Sequence, residues 1–276
     1  QTVTIMDEVL SNYNATHEKK MNLVLFRDAV EHLVRVLRVI RLPLGHALLV
    51  GVGGSGKQSL ARLASHTAHY EVFQISLSRG YGETEFREDL KTLYSILAVK
   101  NGGSPCTFLF TDAHVKDESF LEMINNMLSA GMVPALYAED EKGPVLDAQR
   151  AEVTAQGLTA NKETLWKHFL TKARKNLHIV LCMSPVGEAL RNRCRNFPGL
   201  VNNTVIDWYF TWPETALKAV ADKFMREENL PDEYRSSVIE HMVKVHISTL
   251  EYSKKFMLEL RRNNTATPKN YLDYIQ

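Results

Sequence analysis

Leu23, Phe26, Val30, Leu33, Val34, Leu37 and Ile40 recur at helical spacing, with Arg27, Glu31, Arg35 and Arg38 between them. That pattern predicts an amphipathic helix over 23–41, ended by Pro43. The twenty residues before it are polar and weakly patterned. His46-Ala47-Leu48-Leu49-Val50 reads as a short buried strand, followed at once by a glycine cluster and a helical stretch over 58–69. Val72-Phe73-Gln74-Ile75 predicts a second strand and 83–99 a second helix. Asn101-Gly102-Gly103-Ser104-Pro105 is a breaker. Thr107-Phe108-Leu109-Phe110 reads as the third strand and 117–128 as the third helix. The stretch 131–157 begins irregularly and carries Glu139-Asp140-Glu141, which reads as a solvated loop. A helix over 162–175 leads to a fourth strand, His178 to Met183, stopped by Ser184-Pro185. Val205-Ile206-Asp207 closes a fifth.

Strands alternating with helices predict an α/β fold, a parallel five-stranded sheet with helices on both faces. Beyond Trp208 the pattern is helical only. Thr211-Trp212-Pro213-Glu214 reads as a capping box with proline at the first helical position. Helices are expected over 213–228 and 231–250, and Thr267-Pro268 opens a last one. The composition shift near residue 210 sets the expected organisation: a linker over 1–21, a large α/β part over 22–210 and a small all-helical part over 211–276.

Composition narrows the partners. Of the 276 residues, 45 % are hydrophobic, enough for a real core. Lys and Arg number 33 and Asp and Glu 32, and no basic stripe interleaved with aromatics occurs, so neither nucleic acid nor an anionic membrane surface is an expected partner. No apolar run approaches the ~20 residues that span a bilayer. The start, Gln1-Thr2-Val3-Thr4-Ile5, lacks the basic and apolar regions of a secretion signal, and because it is not Met a piece of a longer chain is expected. Cys106, Cys182 and Cys194 are odd in number and widely spaced, which fits buried thiols in a reducing compartment.

Gly51-Val52-Gly53-Gly54-Ser55-Gly56-Lys57 leaves the first strand and opens a helix, the context in which G-x-x-x-x-G-K binds phosphate. The glycines let backbone N–H groups converge, the helix N-terminus adds positive potential, and Lys57 reaches the outer phosphates. The next residue should be Ser or Thr, whose hydroxyl ligates Mg²⁺. It is Gln58, whose amide oxygen is a longer-armed substitute. Ser59 lies about 100° further round the helix.

Such a site also needs an apolar strand ending in two acids, one for the metal and one for the attacking water. The strand Thr107 to Phe110 runs into Thr111-Asp112-Ala113. In one register Thr111 stands on the metal side and Asp112 replaces the usual base. In the other Asp112 is the metal-side acid and Ala113 stands where the base should be. Either way one carboxylate of two is missing. His114 reads as a surface loop residue.

Taken together, these residues resemble a known family. Asn22 to Ala29, Ala47 to Leu60, Tyr81-Gly82 before Phe86-Arg87-Glu88-Asp89-Leu90-Lys91, Asn176 to Val180 and Phe197-Pro198-Gly199-Leu200-Val201-Asn202 look like the fourth AAA+ module of a dynein heavy chain. Lys57-Gln58-Ser59-Leu60 and Phe110-Thr111-Asp112 resemble axonemal rather than cytoplasmic dyneins. The resemblance implies a P-loop AAA+ large subdomain and a helical small subdomain ending near the family's stalk. It implies ATP or ADP as ligand, with Leu23, Val24, Leu25 and Phe26 on the adenine ring, Gly51, Gly53, Gly54, Ser55, Gly56, Lys57, Gln58 and Ser59 around the phosphates, and Mg²⁺ at Gln58 and Asp112. Ser184 matches the first sensor and Lys269 the second. Arg195, which shares a helical face with Arg191, matches the finger that reaches a neighbouring module's nucleotide.

The family's biology implies a ciliary or flagellar axoneme and cytoskeletal location. It implies neighbouring AAA+ modules, intermediate and light chains, and microtubules reached through the stalk as partners. Within the motor this module is expected to regulate, hydrolysing ATP weakly or not at all. The alternative is a structural ring segment with a degenerate nucleotide pocket. A stand-alone P-loop kinase is disfavoured by the all-helical second part and the arginine cluster.

Overall fold

The computed structural model describes residues 2–228, 230–262 and 264–275. Positions 1 and 276, the outer limits of the expected linker and helical part, lie outside the described residues. Among the described residues five strands are seen: β1 (Ala47–Gly51), β2 (Glu71–Phe73), β3 (Cys106–Thr111), β4 (Leu177–Met183) and β5 (Val205–Tyr209). They form one parallel sheet in the order β2-β3-β4-β1-β5. Parallel registers pair Ala47 with Val180, Cys106 with Leu177 and Glu71 with Cys106. Every residue of β1, β3 and β4 is buried, which is why these three read as unbroken apolar runs rather than alternating ones.

Before β1 come α1 (Thr2–Thr16) and α2 (Arg27–Ile40), and between the strands run α3 (Lys57–Thr67), α4 (Glu83–Ala98), α5 (Glu118–Ala130), α6 (Lys142–Asp147), α7 (Arg150–Ala155), α8 (Lys162–Asn176), α9 (Ala189–Asn196) and α10 (Gly199–Asn202). Local chemistry sets several ends. The Asp117 carboxylate caps α5 by accepting from Ser119 N–H at 2.8 Å, and Gly131 in the left-handed region stops it. The Asn161 side chain caps α8 through Thr164 N–H at 2.8 Å.

The chain divides into two compact units. One holds Val34–Val50 and Ala61–Asp207. Its core joins Leu48 and Val50 of β1, Phe108 and Phe110 of β3, and Ile179 and Leu181 of β4 to Phe86, Leu90, Tyr94, Phe120 and Phe169 from the helices. The other unit holds Gln1–Leu33, Gly51–Leu60 and Trp208–Gln276. Its core gathers Leu217, Val220 and Met225 of α11 (Glu214–Glu227), Ile239 and Val243 of α12 (Asp232–Leu260), and Tyr271 and Ile275 of α13 (Pro268–Ile275). Among the described residues no helix is long and apolar enough to cross a membrane.

Four local expectations are corrected. Leu23 to Phe26 are not helical; α2 begins at Arg27, with Val30 N–H donating to Phe26 O as its first turn closes. The weakly patterned start forms α1, whose Leu10 and Tyr13 are buried. Thr211 does not cap α11: the helix begins at Glu214, Pro213 is its N-cap, and no side chain caps it. Pro213 sits in extended backbone (φ −68°, ψ 160°) with its carbonyl accepting from Ala216 and Leu217, which leaves Thr211 outside the first turn. The helix expected to stop near Leu250 continues to Leu260, where Arg261 takes the left-handed cap.

Candidate functional site

The phosphate loop belongs to the unit of the helical core. β1 ends at Gly51 and α3 begins at Lys57, so the loop spans the five residues between a buried strand and a helix N-terminus. Gly54 and Gly56 have φ of +76° and +88°, a backbone that turns successive N–H groups into one concavity and that side chains resist. Lys57 Nζ donates to Gly51 O at 2.6 Å, Val52 O at 2.8 Å and Ser55 Oγ at 3.1 Å. Ser55 is buried, while Gly53, Gly54 and Gln58 are exposed. Ser59, half-buried, is the third residue of α3.

The same unit brings Lys269 to this loop. A Cβ on Gly54 would lie 2.6 Å from Lys269 Cβ and 2.7 Å from its Cα, so the start of α13 rests directly on the crest of the loop. Thr267 and Asn270 fix that start: Thr267 N–H donates to Asn270 Oδ1 at 2.9 Å, and Thr267 Oγ1 donates to the same oxygen at 2.8 Å. The Lys269 side chain is exposed. Leu23 to Phe26 also lie in this unit. Val24 and Phe26 pack on the helical core, Phe26 meets Trp212 edge-on at 5.5 Å, Leu25 is buried, and Leu23 O accepts from Lys223 Nζ at 2.6 Å.

The strand-end acid belongs to the other unit. Asp112 opens a short 3₁₀ turn, Asp112–His114, directly after β3. Its Oδ2 accepts from Ser184 N–H at 2.5 Å, and its Oδ1 accepts from Arg193 Nη1. Ser184 thus meets Asp112 through its backbone, while its hydroxyl oxygen accepts from Val186 N–H at 3.3 Å. Arg193 also runs past Met183 Sδ at 3.7 Å. The sequence pattern singles out the face shared by Arg191 and Arg195, and Arg193 lies off that face. Residue 193 lies about 200° round the helix from 191, which turns it inward. Arg191 pairs with Glu188, and Arg195 is exposed.

His114 is the second residue that was missed. It is buried, not a surface loop residue. Its Nδ1 accepts from Thr111 N–H at 3.1 Å, which fixes the Phe110–Thr111 peptide at the end of β3. Its Nε2 lies 3.1 Å from the Gln74 side-chain amide, whose oxygen accepts from Arg62 of α3. Burial, and then the Arg62 charge, hold its pKa below the ordinary histidine value. No sequence signal marks a histidine in such a turn as buried.

The loop suits phosphate: converging amides, a helix N-terminus and a lysine. For Mg²⁺, the position after Lys57 offers an exposed amide in place of a hydroxyl. In the other unit each Asp112 oxygen accepts one hydrogen bond, one of them from a guanidinium. Among the described residues no group of three or more His, Cys, Asp or Glu side chains is placed to hold a metal ion.

Comparison with known proteins follows the same lines. The family described as P-loop containing dynein motor region D4 matches residues 21–276. The chain is 58 % identical over 271 residues to the dynein-1-alpha heavy chain of the flagellar inner arm I1 complex of Chlamydomonas reinhardtii. It is 56 % identical over 272 residues to dynein axonemal heavy chain 10 of Homo sapiens, and 46 % identical over 273 residues to the ciliary dynein beta chain of Heliocidaris crassispina. These alignments cover 98 %, 98 % and 99 % of the chain, which spans 6 % of the length of each relative. With a nucleotide-type phosphate loop on a five-stranded parallel sheet and a match across nearly its whole length, the chain belongs to the family of P-loop containing dynein motor region D4.

Proposed function

We propose that this chain is a nucleotide-binding AAA+ module of an axonemal dynein motor, one that binds ATP or ADP and hydrolyses it slowly or not at all. The observation that carries the binding half is the loop from Gly51 to Lys57. Its left-handed glycines turn the amides inward, and its lysine rests on neutral carbonyls. Phosphate oxygens carry the charge opposite to that ammonium, so a bound nucleotide adds an ion pair to its hydrogen bonds. Leu23 to Phe26 receive the adenine. Lys269, seated on the loop by the approach of α13 to Gly54, reads the nucleotide from the small subdomain.

The slow-hydrolysis half rests on Asp112. It is the one acid the sequence supplies at the strand end, and its carboxylate is engaged by Ser184 N–H and Arg193. A P-loop hydrolase asks one acid to hold the metal and another to polarise the water, and a single Asp112 tied to a guanidinium supplies at most one of them. The module therefore serves as a regulatory switch in a motor that moves along microtubules in the axoneme of a cilium or flagellum. Its partners are the neighbouring AAA+ modules, one of which receives Arg195, the stalk that carries microtubule binding, and the intermediate and light chains. The names of the relatives, flagellar, ciliary and axonemal, support this setting.

Single-turnover hydrolysis by the purified chain tests the reading. Turnover no faster than that of the Asp112→Asn variant is expected. Robust turnover abolished by Asp112→Asn would overturn the slow-hydrolysis half. The self-satisfied Lys57 favours one second reading, a structural ring segment with a degenerate pocket; failure to bind nucleotide at millimolar concentration would select it.

A further inference from the structure

We propose that the end of α12, from Leu250 to Leu260, is a docking surface for one kind of partner: an amphipathic helix that carries acidic residues beside its apolar seam.

The surface begins as a spacing. Ile239, Val243 and His246 follow one another at intervals of four and three residues, and all are buried. Ile239 and Val243 belong to the helical core, and the His246 ring lies 4.9 Å from that of Tyr271 in α13. Leu250, Ser253, Met257 and Leu260 continue the same alternation of four and three without a break. At 3.6 residues per turn, all of these positions fall within about 100° of one another around the helix. That is the seam one helix presents to another. Its first half is covered by α11 and α13. Its second half is not. Leu260 lies about 21 Å along the axis beyond His246, and there Met257 is 44 % exposed and Leu260 58 %. Tyr252 and Phe256 stand on one flank of the same face and are exposed as well. Single exposed apolar residues need no explanation, but a contiguous patch on one face marks an interaction site. The patch is continuous with the packed seam of α11, α12 and α13, so a helix is the shape that extends it.

Charge selects the occupant. Lys254 stands on the other flank of the seam, and the helix ends in Arg261 and Arg262, all exposed. The acids of these turns, Glu251 and Glu259, lie round the far side, about 130–150° from the middle of the seam. A second copy of the chain fits poorly. An antiparallel pair would set the basic flank against itself, and a parallel pair would offer Lys254 only Thr249 and Phe256. A helix with glutamate or aspartate beside its seam places the opposite charge there while its apolar residues cover Met257 and Leu260.

The test titrates the chain with two fluorescein-labelled peptides of four heptads. Both carry leucine at the two seam positions; one has glutamate at every flanking position and the other lysine. Like charges keep each peptide from pairing with itself. By fluorescence anisotropy at low salt, the wild type should bind the glutamate peptide about tenfold or more tighter than the lysine peptide, and less tightly as salt is raised. Met257→Glu combined with Leu260→Glu should weaken that binding about tenfold or more, and Lys254→Glu should narrow the preference between the peptides. Leu258→Glu, on the side away from the seam, should bind as wild type. The replaced side chains are exposed, so circular dichroism should report the wild-type fold for every variant; should the double variant unfold, Phe256→Ser reads the same face. No binding of the glutamate peptide, equal binding of the two peptides, or binding that the seam variants leave unchanged overturns the proposal. So does a wild-type dimer, seen by light scattering, that the seam variants dissolve. Neither peptide engages the phosphate loop, so failure here leaves the nucleotide reading standing, and failure of nucleotide titration leaves this one.

Discussion

Gly54 is the position where loop conformation and small-subdomain contact meet, and replacing it with alanine perturbs both. Its φ is +76°, where a Cβ costs about 1–2 kcal/mol. That Cβ would also stand 2.6 and 2.7 Å from Cβ and Cα of Lys269, so the first turn of α13 must move. Forced rearrangement of packed atoms adds about 1–3 kcal/mol. The two together come to about 3 kcal/mol, a fall in melting temperature of roughly 6–12 °C for a chain of this size. Gly53 is the internal control: its φ is not positive and a Cβ there meets nothing within 4 Å, so Gly53→Ala should change stability by no more than about 0.5 kcal/mol. Thermal scans by circular dichroism compare the two variants, and nucleotide titration follows the re-aimed amide of residue 54. Equal melting temperatures for Gly53→Ala and Gly54→Ala would refute the assignment of α13 to the crest of the loop.

Further expectations concern buried groups. Burial first, then the neighbouring His178 and Arg174, bring the His46 pKa down to about 4. The unfolded chain therefore takes up a proton that the folded one refuses, so stability is fullest above about pH 6.5 and is lost by roughly 3 kcal/mol as pH falls from there to 4. Urea midpoints at pH 7.5 and 5.0 check the sign, and a midpoint that rises on acidification would contradict it. His114→Leu should cost about 1–3 kcal/mol, because Thr111 N–H is left buried without its acceptor; an unchanged urea midpoint would show that the bond contributes nothing. Cys106 and Cys182 are buried, and burial pushes the Cys106 thiol up to about 12. In the native chain a thiol reagent should label Cys194 alone at an appreciable rate, while rapid labelling of all three would count against the packing of β3 and β4.

The strands were legible because β1, β3 and β4 are buried on both faces, and burial on both faces writes itself as a continuous apolar run. The phosphate loop was legible because its backbone demands glycine at particular places, as at 54 and 56. Other features carry no such mark. Leu23 and Phe26 continue the spacing of α2 by coincidence, since they belong to a non-helical segment whose carbonyl at Leu23 accepts from Lys223. The last turns of α12 are exposed although they carry Tyr252, Phe256, Met257, Leu258 and Leu260, and good helix formers such as Glu251, Lys254 and Lys255 support the helix there, with Lys255 Nζ 5.1 Å from the Tyr252 ring. The partner of Asp112 was illegible for a different reason. Three arginines alternate along α9, and only the rotation of that helix about its axis, set by packing, decides which one turns inward. His114 is hidden by the same logic, since a polar ring in a turn becomes buried only when a neighbouring amide needs its lone pair.

The central claim is that Lys57 and its loop hold a nucleotide. Equilibrium titration of the chain with a fluorescent ATP or ADP analogue, wild type beside Lys57→Ala, tests it most directly, with the circular dichroism of both recorded to show that they are folded. The loop geometry predicts saturable binding by the wild type and a loss of about a hundredfold or more in the variant, which gives up a charge-assisted phosphate contact worth about 3 kcal/mol. Absence of binding by the folded wild type at millimolar nucleotide, or equal affinity in the two proteins, would contradict it.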